Sequence, residues 1–240
     1  MSRAYVIAKR ELSSYFYSPI AYVAMFFFLL ACGGMFWSDF TPGQPVAMRS
    51  IFERMVLLLV FIMPVLTMGL MSQEWSSGTI ESLMTAPVTE MDVIVGKFFG
   101  SMGFFALLLA PTLLYVVMLR IYAIPSFDYG PIFSGYLGII LVGALFCAIG
   151  LFCSSLTRSH VVAAVTSMAV LLVATIIPKF ASDVATLPTF WRNVTDQLVF
   201  RRYSDFSRGV IDLGHLVFFI ALTCVFLFLS VKLLESRRWK

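Results

Sequence analysis

The sequence predicts an all-α integral membrane protein, and three observations carry that expectation. Of its 240 residues, 60% are hydrophobic and only 12% are charged, with a mean hydropathy of +0.93. A soluble domain carries about twice that charged fraction. Six apolar stretches, roughly 19–38, 55–72, 98–119, 132–153, 159–178 and 214–234, approach the length needed to cross about 30 Å of hydrocarbon. The first five contain no Asp, Glu, Lys or Arg, and the sixth holds only Lys232, near its end. The expected architecture is one transmembrane domain over residues 1–240 with six spans. An N-terminal interfacial helix precedes them, a short surface helix joins the second and third, and short outer-face helices join the fifth and sixth.

The elements follow in order. In residues 1–17, Ala4, Ala8, Leu12 and Tyr15 with Phe16 recur at helical spacing around Lys9, Arg10 and Glu11, a pattern for a helix lying on the membrane surface. Ser18 and Pro19 then supply an N-cap and a proline at the first helical position of span one. Pro64 and Pro111 fall inside spans two and three, where a missing N–H kinks a helix. The segment 179–213 is too charged for lipid and alternates Trp191, Val194 and Leu198 with Arg192, Asp196, Arg201 and Arg202. An amphipathic pair of short helices at the interface fits it. Phe206, Gly209 and Asp212 close this outer loop. Lys and Arg divide almost evenly between the two sides, so the charge rule favours cytoplasmic termini only modestly.

Composition also limits function. An ion-coupled carrier keeps an ionisable side chain at mid-membrane to hold its ion. Spans without one imply that energy for any uphill movement enters from outside the bilayer. Cys32, Cys147, Cys153 and Cys224 all fall in apolar stretches without CxxC spacing, so disulfide and zinc roles both fail. Ala144 with Ala148, and Ala163 with Ser167, are small pairs that bring helices close, within one chain or across a dimer seam. Thr67, Thr112, Tyr115, Thr166 and Thr175 are either path-lining or packing residues.

The loop from Ser72 to Lys97 carries the functional signal. Gly78 permits a sharp turn as the chain leaves the membrane. Residues 79–86 can form two helical turns with Ile80, Leu83 and Met84 on one face and Glu81 presented outward, and Pro87 ends them. Thr89 and Asp92 form a capping box that opens the next helix. Such a helix suits a groove of another protein.

Glu74-x3-Gly78-Thr79-Ile80-Glu81-x-Leu83-x3-Pro87, followed by Gly96-Lys97, resembles the signature loop of type-2 ABC transporter permeases. Lys9-Arg10-Glu11-Leu12 and Ser154-Ser155-Leu156-Thr157-Arg158 are similar to other parts of that family. Residues 206–212 and 234–239 resemble its gliding-motility and nitrous-oxide-reductase-maturation branch. His160 departs from the pattern, standing where an amide side chain is expected.

The resemblance implies a permease half in a bacterial inner membrane with both termini cytoplasmic. It would pair with a second copy or paralogue and dock two cytoplasmic ATPase subunits through residues 79–86, the coupling helix. Glu74 would brace the loop, Gly78 and Thr79 set its turn, Glu81 meet the ATPase, Pro87 end the helix and Lys97 close the motif. ATP and Mg would be bound by the ATPase, with no cofactor in this chain. Position 91 is Met and position 98 Phe where a phosphate-binding loop needs Gly and Ser or Thr, so the chain is expected not to be an enzyme. The expected function is export of an amphipathic, lipid-like, peptide or polysaccharide cargo. The competing one is a scaffold that passes ATPase motion to a periplasmic or motility partner. Nothing suggests nucleic acid.

Overall fold

The computed structural model describes residues 3–39, 48–79, 88–122, 129–183 and 199–238, all in helices, turns or short connections. Helix α1 (Arg3–Tyr17) is followed by α2 (Pro19–Asp39), α3 (Met48–Thr67) and α4 (Gly69–Ser77). Next come α5 (Glu90–Leu109), a 3-10 turn (Ala110–Thr112) and α6 (Leu113–Tyr122). The series ends with α7 (Tyr129–Leu156), α8 (His160–Asp183), α9 (Val199–Ser207) and α10 (Leu213–Arg238).

Five segments are long and apolar enough to cross a membrane: 19–39, 48–77, 90–121, 129–156 and 213–236. They match five of the six expected stretches and extend each of them. The fifth stretch, 159–178, lies in α8, whose apolar side chains are described only over His160–Thr175. Residues 80–87, which include Ile80, Glu81, Leu83 and Pro87, and Trp191 lie outside the described residues.

Helix α7 is the centre of the bundle, touching α3, α4, α5, α8, α9 and α10. Apolar side chains all round it would suit either lipid or protein, and glycines decide for protein. A Cβ at Gly135 would fall 2.3 Å from the Phe52 ring, and one at Gly143 would fall 2.2 Å from Phe105. Two neighbouring helices therefore press aromatic rings against its backbone. Ala148 on α7 and Ala163 and Ser167 on α8 are all buried within the single chain. Intrachain packing thus accounts for these members of the small pairs.

Both prolines sit beside interruptions. Pro111 occupies the 3-10 turn between α5 and α6. Four residues after Pro64 the helix breaks at Met68 and resumes as α4. A side chain from α7 fills that break. The Ser154 hydroxyl donates to the Met68 carbonyl at 2.8 Å and accepts from the Met71 and Ser72 N–H groups at 3.1 and 3.0 Å. Three backbone polar groups at the break are thereby satisfied.

At the other end of the bundle, α9 is docked rather than solvated, with Tyr203 and Phe206 fully buried. Ser134 donates a 2.7 Å hydrogen bond to the Phe206 carbonyl. Burial raises the Tyr203 phenol well above its ordinary value, so it stays protonated. Gly209, at φ 92°, turns the chain against Pro131, and Asp212 accepts from the Gly214 N–H at 2.8 Å to start α10. Of the expected pair of outer helices, α9 lies among the described residues.

Candidate functional site

The site forms where α1 lies across the start of α5. Two glycines permit that contact. A Cβ at Gly96 would stand 2.7 Å from Ile7 Cβ, and one at Gly100 would stand 2.6 Å from Glu11 Cβ. Neither position has room for a larger residue. The approach brings Glu11 over Lys97, 86 residues away in sequence.

Lys97 is 2% exposed, which is costly for a charge unless it is paired. Its Nζ lies 2.7 Å from Glu11 Oε1 and 2.9 Å from Glu74 Oε1, so one ammonium joins two carboxylates from different helices. Arg10 closes the ring from the surface, with Nη2 at 3.3 Å from Glu11 and 3.2 Å from Glu74. The four charges sum to zero. Glu74 Oε2 is buried and has no hydrogen-bond partner among the described residues.

Local signals position each member. Glu74 stands on the last turns of α4, which ends on Gly78 in the left-handed conformation at φ 71°. The Ser76 and Ser77 hydroxyls donate to the Gln73 carbonyl at 3.0 and 2.7 Å, and Ser77 also meets the Thr79 hydroxyl at 2.9 Å. Lys97 rides on α5, which the Thr89 and Asp92 capping box opens as the spacing predicts. The expected turn at Gly78 and cap at Thr89 thus flank residues 80–87, with Glu74 on the helix before them and Lys97 on the helix after them.

Tyr15 anchors α1 further along. Its hydroxyl donates to the Leu66 carbonyl at 2.9 Å, and its ring stacks on Phe104 with centroids 4.7 Å apart. Burial pushes the phenol well above its ordinary value, which keeps it a donor. His160, at the first turn of α8, places Nδ1 2.6 Å from the Ser72 hydroxyl, next to the helix break. Between α1, the start of α2, the break and His160 lies a cavity of about 290 Å³.

Residues 41–234 match the family described as ABC-2 family transporter protein. The chain belongs to that family. No curated protein matches it. An ABC-2 permease is a multi-pass membrane transport subunit that works with an ABC ATPase. The match begins beyond α1 and α2, so it takes in Glu74 and Lys97 but not Arg10 and Glu11. The permease completes its charge cluster with residues from outside the matched stretch.

Of the expected loop residues, Glu74 and Lys97 are brought together, while Gly78 and Thr79 form the turn four and five positions beyond Glu74. Phe206, Gly209 and Asp212 lie at the opposite end of the bundle, where they pack α9, turn the chain and cap α10. Arg10 and Glu11 were visible as part of a charged patch and of the Lys9-Arg10-Glu11-Leu12 resemblance; their joining with Glu74 and Lys97 has no local signature. Thr67, Thr112 and Thr175 are buried and donate to their own helix carbonyls at Met63, Leu109 and Leu171. That geometry makes them packing residues of the permease.

Proposed function

We propose that this ABC-2 permease is one membrane half of an ATP-driven exporter, coupling hydrolysis by two cytoplasmic ATPase subunits to movement of an amphipathic cargo. The cargo is a lipid-like molecule, a peptide or a polysaccharide. The full fold in this reading has six spans in a single domain, with α8 as the fifth. Both termini are cytoplasmic in a bacterial inner membrane, and a second copy or paralogue completes the dimer.

The single observation that carries the coupling is the cluster of Arg10, Glu11, Glu74 and Lys97. It ties the roots of residues 80–87 to each other and to α1. A push on the segment between those roots therefore reaches α1, α4 and α5 together rather than bending one loop. In this reading residues 79–86 form the coupling helix, Glu81 meets the ATPase, and Pro87 ends the helix. The likeness of residues 206–212 to one permease branch weighs little here, because Phe206, Gly209 and Asp212 each have a folding role.

The test is a mild-detergent pull-down of the tagged protein from its native membrane, with ATP hydrolysis assayed on wild type and Glu81→Arg. An ATPase that co-purifies with wild type and is lost from the variant supports the coupling. Wild-type protein that comes down alone, without hydrolysis, overturns it.

A further inference from the structure

The cavity beside the charge cluster has a polar end and an apolar end. Ser14 and Ser18 line it before Ile20 and Ala21 on the neighbouring start of α2, and Gln73 lines it beyond Leu66 and Leu70. Along both chain segments, then, polar side chains stand nearer the α1 surface and apolar ones nearer the middle of the spans. Pro19 marks the beginning of the first span, so the polar end lies at the depth of lipid head groups.

The polar side chains there are uncommitted. Ser18 begins α2 through its backbone, yet its hydroxyl makes no hydrogen bond among the described residues. The Ser14 hydroxyl and the Gln73 side-chain amide, both on exposed residues, likewise have no partner among the described residues. Together they offer donors and acceptors converging on one space. A mixed set of this kind orients a small polar ligand in an otherwise apolar pocket.

Charge narrows the choice. The carboxylate of Glu11 edges the cavity, but Lys97 and Arg10 balance it with Glu74, so the carboxylates and cations of this wall sum to zero, while His160, also on the lining, meets the Ser72 hydroxyl. A net anion or cation would bring an uncompensated charge to it, whereas a zwitterion would not. Size narrows it further: about 290 Å³ admits a head group and the start of its chains, not a polysaccharide segment.

We propose that this cavity binds the head of a zwitterionic glycerophospholipid bearing a primary amine. The ammonium faces Glu11 and the Gln73 side-chain amide oxygen, the phosphate faces the Ser14 and Ser18 hydroxyls, and the chains leave past Ile20. The lipid wedges between α1 and the broken helix α3–α4. This goes beyond the export reading and holds whether or not lipid is the cargo.

The test uses the full chain, delipidated in detergent and titrated with dioleoyl phosphatidylethanolamine or dioleoyl phosphatidylglycerol in mixed micelles, with adducts counted by native mass spectrometry. One phosphatidylethanolamine per chain is expected, bound about tenfold more tightly than phosphatidylglycerol. Ser18→Trp should fill the space and abolish the adduct. Gln73→Leu, close in size, should weaken it about tenfold. Thermal unfolding identifies any variant that fails to fold, and if Ser18→Trp does, Gln73→Leu decides. Equal binding of the two lipids, or undiminished phosphatidylethanolamine binding in a folded Gln73→Leu protein, overturns the proposal. No ATPase is needed, so this outcome is independent of the export test.

Discussion

Lys97 and Arg10 are both cations of one cluster, and burial separates their importance. Removing one partner of a buried pair strands the others, which costs about 3–5 kcal/mol. Lys97→Met, at a side chain 2% exposed, should therefore lower stability on that scale in thermal or denaturant unfolding. Arg10 is 59% exposed, and Arg10→Ala should cost no more than about 1 kcal/mol. A double-mutant cycle between Glu11→Gln and Lys97→Met checks the pairing directly. Additive effects would mean that the contact carries no coupling energy. The sequence showed Lys97 only as the residue after Gly96. Its partner 86 positions earlier could not be read, because α1 and α5 meet through packing rather than through any local pattern.

Elements whose ends depend on neighbouring residues were legible. Gly78 ends α4, the Thr89 and Asp92 box opens α5, and Pro111 marks the turn before α6. The break at Met68 was only half legible. Pro64 signalled an interruption, but the hydroxyl that satisfies it comes from Ser154 on another helix. Ser154→Ala leaves those backbone groups without that partner and should cost about 1–3 kcal/mol. Hydrogen exchange at Met71 and Ser72 should quicken in the same variant, and unchanged exchange would show that the hydroxyl is dispensable. Gly100→Val tests the contact of α1 with α5. A Cβ there meets Glu11 Cβ at 2.6 Å and the Ala8 carbonyl oxygen at 2.9 Å, so α1 must shift. Exchange throughout residues 3–17 should rise while that of α7 stays slow.

At the scale of the whole molecule, α7 holds the bundle together and the charge cluster closes one end of it. The membrane class and most spans were plain from hydropathy, because lipid imposes a length and a composition that local sequence must meet. Which span sits in the middle was not plain, since α2 and α7 are both apolar throughout. Glycines that admit Phe52 and Phe105 settled it only once their neighbours were placed. The cluster also sets an order of events during synthesis. Glu11 emerges from the ribosome long before Lys97, and until then its carboxylate has no buried ammonium to meet. Helix α1 must therefore wait in the wet face of the membrane while three further helices are made. Its docking is completed when the start of α5 arrives, after α2, α3 and α4 have been made and before α6 to α10 exist.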